Sequence, residues 1–198
     1  MDQNHPIITT PDWNRLFSIA LEQEGYFTTA QAADAGFGPQ LLHHHLDAGR
    51  FQRPVRGVYR LVHFPPGDHE ELVIAWLWTG RQGIVGLESA LALHGLSDAL
   101  PAEIHMVLPQ VWSRRRLRVP AGVCLHFHDL CEQDIQWHGA VPVTSLACTL
   151  RLSTLEHLPP DLIQQAAEQG MRRGLFSRED VAPVWAYLEA FHLQLEHA

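Results

Sequence analysis

The chain has 198 residues, 46% of them hydrophobic and 18% charged, which is enough for one large domain or two small ones with their own cores. A formal net charge of -8 excludes a protein that coats nucleic acid or anionic membrane along its whole length. The cysteines, Cys124, Cys131 and Cys148, are odd in number and lack CxxC spacing, which speaks for a reducing compartment and against a disulfide framework.

The opening residues, MDQNHPIITTPDW, have neither a basic start nor an apolar run, so no signal peptide is expected, and the first ten are the only stretch that reads as disordered. The longest apolar stretch, Leu72 to Trp78, is too short to cross a bilayer. A cytoplasmic protein with no membrane partner is therefore expected. The first helix should run from Asp12 to Glu24, with Asp12 as cap, Trp13, Leu16, Phe17, Ala20 and Leu21 at helical spacing, and Gly25 as stop. "YFTTAQAADAG" then gives a short extended piece and a small helix, capped by Thr28 or Thr29 and ended by Gly36. A second short helix, Gln40 to Ala48, ends at Gly49. "RFQRPVRGVYRLV" reads as two short strands around a turn at Pro54 to Gly57. Helix, strand, helix, tight connection, helix and hairpin is the order of a winged helix-turn-helix, here over residues 11–64.

"HFPPGDHEE", residues 63–71, marks a boundary, and residues 65–198 read as a second, mixed domain with a small sheet, so the fold class is α+β. Its expected elements are a helix at Glu70 to Thr79, a strand and a second helix in "GIVGLESALALHGL" ending at His94 and Gly95, then extended pieces "EIHMVLP", "GVCLHFH" and "GAVPVTS". Three helical segments follow: Leu146 to Leu155, Asp161 to Arg173, and Ser177 to the end. "SRED" from Ser177 supplies an N-cap for the last of them, and Pro183 is expected to kink or divide it.

All fourteen basic residues are arginine, a planar fork suited to phosphates and guanine edges. Four of them, Arg50, Arg53, Arg56 and Arg60, fall between Gly36 and Phe64, where Asp47 is the single acid. The triplet His43, His44 and His45 just before them cannot hold a metal jointly, because consecutive helical residues point about 100° apart. Leu41, Leu42 and Leu46 mark the buried arc of that helix, with His45 at its edge. Gln40, His43 and His44 then lie on the outer arc, where they can bond base edges or phosphates. An ordinary solvated face is the plain alternative. The arginines favour DNA, since a wing places such cations on the phosphate backbone or in the minor groove.

A second basic run, Arg114, Arg115, Arg116 and Arg118, falls between strands and suits either phosphates or an acidic partner surface. His126 and His128 share one strand face and could hold a metal with Asp129 or Cys131, which makes a metal-dependent enzyme one rival reading. A protein-interaction module without DNA binding is the other. No GxSxG, Walker loop, HExxH or glycine-rich cradle is present, so no enzymatic activity, metal or cofactor is expected.

"GYFTTAQAADAG" followed by "GRFQRPVRGVYRL" resembles the N-terminal winged-helix domain of the AbiEi family, antitoxins of type IV abortive-infection toxin–antitoxin systems. "RGVYRL", residues 56–61, is the most specific piece, and "ESALALHGL", "EIHMVLP", the arginine run and "VPVTSLACTL" extend the likeness from about Gly25 to Gly174. Cys148 and Arg151 depart from the family's pattern after "VTS". The resemblance implies a DNA-binding repressor of its own promoter, bound at inverted repeats, and an antitoxin whose C-terminal region neutralises a nucleotidyltransferase-like toxin. A homodimer is part of the same expectation.

Overall fold

Asp12 starts the first helix, α1 (Trp13–Leu21), by accepting a hydrogen bond from the Arg15 amide at 2.9 Å on its Oδ1, which satisfies one of the free N–H groups of the first turn. The computed structural model that shows this describes residues 10–98 and 100–196, with side chains as far as Phe191. The first nine residues, and with them most of the stretch read for disorder and for a leader, lie outside the described residues. Helix α1 stops at Leu21, short of the expected Glu24. Glu24 and Gly25 both take positive φ, and a Cβ at Gly25 would lie 2.6 Å from the Phe64 ring, so the turn needs glycine for space as well as for its dihedral.

The chain continues as β1 (Tyr26–Thr28), α2 (Thr29–Asp34), α3 (Pro39–Asp47), β2 (Phe51–Val55) and β3 (Val58–Leu61). Thr28 and Gln31 form a reciprocal capping box at the start of α2. Pro39 opens α3 at a position where no amide hydrogen is needed. The three strands form an antiparallel sheet in the order β1-β3-β2, a helix-turn-helix-like arrangement backed by a hairpin. Between the pairs Gln52–Arg60 and Val55–Val58 the strand β2 carries one extra residue. That bulge takes Arg53 and Pro54 out of the ladder, so the proline costs no hydrogen bond. The turn is tied back to α2: the Thr29 amide donates to the Gly57 carbonyl at 2.9 Å, and Gly57 has φ of +87°. Phe27, Phe37, Phe51, Leu16 and Leu42 fill the core of this unit.

Helix α4 (Glu70–Trp78) packs on β1, β2 and β3, and the first compact unit ends at Arg81. The Pro-Pro-Gly stretch is thus a connection inside that unit, and its second compact partner starts at Gln82.

The second unit comprises β4 (Ile84–Val85), α5 (Leu87–His94), β5 (Ile104–Leu108), β6 (Val123–Phe127), β7 (Ile135–His138), β8 (Val141–Thr144), α6 (Leu146–Leu155), α7 (Pro160–Arg172) and α8 (Arg178–Glu196). Its mixed sheet runs β6-β5-β4-β8-β7, with β5 parallel to β6, β4 parallel to β8, and the other pairs antiparallel. Leu87, Leu91, Leu150, Leu152, Ile163 and Val184 belong to the helical core over this sheet. The edge strand β7 has no counterpart in the sequence reading, because "IQWH" shows no clean alternation and its Trp137 is 64% exposed. Pro183 does not divide α8, which runs from Arg178 to Glu196 with the proline inside it as its sixth residue. Among the described residues no helix is long and apolar enough to cross a membrane.

Candidate nucleic-acid interface

Helix α3 sorts its side chains by the wheel. Leu42 is buried, and Leu41 and Leu46 are half-buried, against the unit's core. His45 is only 4% exposed and packs its ring edge-on to Trp13 at 4.9 Å and against Phe51 at 5.0 Å. Burial, with the nearby Arg50 charge adding to it, holds His45 below the ordinary histidine range, so it is a neutral core residue that accepts from Arg50 at 3.4 Å on Nδ1. Gln40, His43 and His44 are all exposed on the opposite face. His43 Nε2 lies 3.5 Å from Asp47 Oδ2, a fully solvated pair.

The arginines divide. Arg50, Arg53 and Arg56 are exposed, Arg53 leaning toward the Tyr59 ring with 5.8 Å to its centroid. Among the described residues no ion pair engages any of the three. Arg60 does not join them as expected from sequence. Its side chain is only 13% exposed and donates to Glu70 at 2.8 Å and to the Phe64 carbonyl at 3.1 Å, with the Tyr26 ring 5.5 Å below. Strand alternation turns Arg60 inward, and Glu70 neutralises it there. Its partners were hidden from sequence because Glu70 arrives from a helix assigned to the other domain. Burial, followed by the hydrogen bond and charge of Glu70, pushes the Tyr26 hydroxyl up to about 12, so this cluster carries one anion and one cation at neutral pH.

Residues 14–62, from α1 to the end of the hairpin, match a family described as "Transcriptional regulator, AbiEi antitoxin". This segment is similar to the AbiEi regulators. A solved structure, that of the RV2827C protein from Mycobacterium tuberculosis, is similar to the chain with a TM-score of 0.52 and 17% identity, over 87% of this chain and 70% of that one. At that identity the likeness speaks for the fold. No curated protein matches the sequence.

Outside the AbiEi-matched segment, Arg114 ends a short 3-10 turn (Gln110–Arg114), and Arg114, Arg115, Arg116 and Arg118 are all exposed. Arg115 stacks over Trp112 at 4.1 Å, which fixes one guanidinium in a planar, outward-facing pose. The trio His126, His128 and Asp129 is not assembled. Asp129 Oδ1 accepts from the Gln110 amide at 3.0 Å, whereas Glu156 takes both imidazoles, His126 Nδ1 on Oε2 at 2.9 Å and His128 Nε2 on Oε1. Glu156 lies 28 residues beyond His128, so only the packing of α6 on the sheet brings it there.

Proposed function

We propose that the protein is a DNA-binding transcriptional regulator that lays α3 in the major groove and the β2–β3 hairpin, as a wing, on the adjacent backbone. The observation that carries this reading is the run of exposed cations, Arg50, Arg53 and Arg56, directly behind the exposed Gln40, His43 and His44. Glutamine and histidine can bond base edges, and unpaired guanidiniums gain most by releasing counterions from phosphates. A net charge of -8 over the whole chain, against this local run of cations, favours binding through this one patch. The match of residues 14–62 to the AbiEi regulators supports the same reading.

The finer proposal is a cytoplasmic repressor of its own promoter at inverted repeats, read by a homodimer, and the antitoxin of a type IV system. A palindromic operator demands a two-fold pair. Exposed Phe17 and Leu21, at 52% and 61% one turn apart on α1, offer a self-association surface. The stacked Arg115 and its neighbours suit an acidic face of a nucleotidyltransferase-like toxin. We assign no reaction to the chain.

A gel shift with the DNA upstream of the protein's own reading frame, against a scrambled duplex, tests the proposal. Retardation of the native duplex at salt that releases the scrambled one is expected. Equal affinity for both at every salt concentration would refute sequence-specific reading, and retardation of neither would leave a protein-interaction module as the better account.

A further inference from the structure

Strands β5 and β6 run parallel with His105 paired to Cys124 and Val107 to His126. Paired residues of a parallel ladder point to the same face, and so do residues two apart on one strand, so His105, Cys124 and His126 meet on one side of the sheet. Their nearest ligand atoms all lie within 4.8 Å of one another. We propose that these three side chains form a zinc-type site, two imidazoles and a thiolate, with Glu156 as the carboxylate that orients His126.

The tautomers favour it. An ionised carboxylate only accepts, so Glu156, 2.9 Å from His126 Nδ1, places the ring proton there and leaves the lone pair on Nε2. That lone pair faces His105 Nδ1 at 3.0 Å and Cys124 Sγ at 3.6 Å. On the other imidazole, His105 Nε2 lies 3.8 Å from Glu88 Oε2, so Nδ1 is again the atom directed inward. Tetrahedral zinc, with bonds of about 2.0 Å to nitrogen and 2.3 Å to sulfur, sets N···N near about 3.3 Å and N···S near about 3.5 Å. The contact of His126 Nε2 with Cys124 Sγ, at 3.6 Å, is already close to that length, a small rotation of the His105 ring opens the nitrogen pair from 3.0 Å, and His105 Nδ1 lies within 4.8 Å of the sulfur. Carboxylates behind both imidazoles are the usual support of a histidine-ligated metal, and mixed nitrogen and thiolate donors select zinc over magnesium or calcium.

On binding, the Cys124 proton leaves to solvent and water takes the fourth position. The ion pins β5 to β6, and through Glu156 and Glu88 it couples that sheet edge to α6 and α5. His128 shares Glu156 and is a support, with no ligand role. None of this depends on DNA binding.

The test is cobalt(II) titration of tag-free, chelator-stripped full-length protein. One cobalt per chain is expected, with the intense visible bands of a tetrahedral ion and a thiolate-to-cobalt charge-transfer band, all bleached by zinc. Cys124→Ser should abolish the charge-transfer band, Cys131→Ser should keep it, and Glu156→Gln should weaken binding by about 10–100-fold. A band that survives in Cys124→Ser, or weak octahedral binding alike in every variant, overturns the site and points to adventitious capture by surface histidines. Should Cys124→Ser fail to fold, the wild-type protein decides. Zinc should slow alkylation of Cys124 by iodoacetamide at least about tenfold relative to Cys131, and equal slowing of the two refutes the proposal.

Discussion

Replacing Arg53 and Arg56 together with alanine is the perturbation that isolates the hairpin's part in DNA binding. Both side chains are exposed and without an ion pair among the described residues, so the fold should change by no more than about 0.5 kcal/mol. Each phosphate neutralised on duplex DNA contributes about 0.9 to the slope of log affinity against log salt. Losing two contacts lowers the slope by about 1.8, a loss of about 60-fold at about 0.1 M monovalent salt that vanishes near 1 M. Fluorescence anisotropy over a salt series on one labelled duplex measures both quantities. Arg60→Ala is the contrasting variant. Removing a cation whose side chain is 13% exposed leaves Glu70 without its partner, which should destabilise the first unit by about 2 kcal/mol while leaving the salt slope of the folded protein intact. An unchanged slope in the double alanine variant, or a lowered slope in Arg60→Ala, would refute the division of the arginines made above.

His45 gives a stability prediction with a definite sign. Its native value lies below the ordinary range, so between the two the unfolded chain binds the extra proton, and stability is full above about pH 6.5 and lost as pH falls through the window beneath it. The melting temperature of His45→Leu should therefore fall less between pH 7.5 and pH 5.5 than that of the wild type, and parallel curves would refute the buried neutral assignment. A groove contact by the exposed His43 and His44 should make their double alanine variant lose affinity for the native duplex more than for a scrambled one at constant salt, and equal loss on both would refute a base-edge contact. Cys148 is buried and pushed up to about 12, first by burial and then by Asp134, which leaves about one thiolate in 10,000 at pH 8. Mass spectrometry after brief alkylation should find the exposed Cys131 modified and Cys148 intact.

The elements of the N-terminal unit were legible because each is punctuated locally. Asp12, Thr28, Pro39, Gly49 and Gly57 stand where caps and turns need those residue types, and the apolar residues of α1 and α3 keep helical period. The edge strand β7 was not legible, since an edge strand owes its existence to the neighbour it pairs with. Among the site residues, the split of His43 and His44 from His45 followed from helix geometry alone. The fate of Arg60 did not follow, because strand alternation tells which face a residue takes but not what lies across it.

By itself the sequence determined the order of helices and strands in the N-terminal unit, the outward face of α3 and the concentration of arginine behind it, all properties of chain-local spacing. Tertiary structure decided what depends on partners distant in sequence. It placed α4 on the first unit, and it locked Gln23 and Gln31 into a reciprocal buried pair through donations of 3.3 Å and 2.8 Å. It spent Arg60 on Glu70, drew Glu156 between two histidines, and set His105 beside Cys124. The physical reason is common to all of these. Burial and pairing are set by which surfaces meet, and one-dimensional spacing carries no information about the side chain that arrives from the other element.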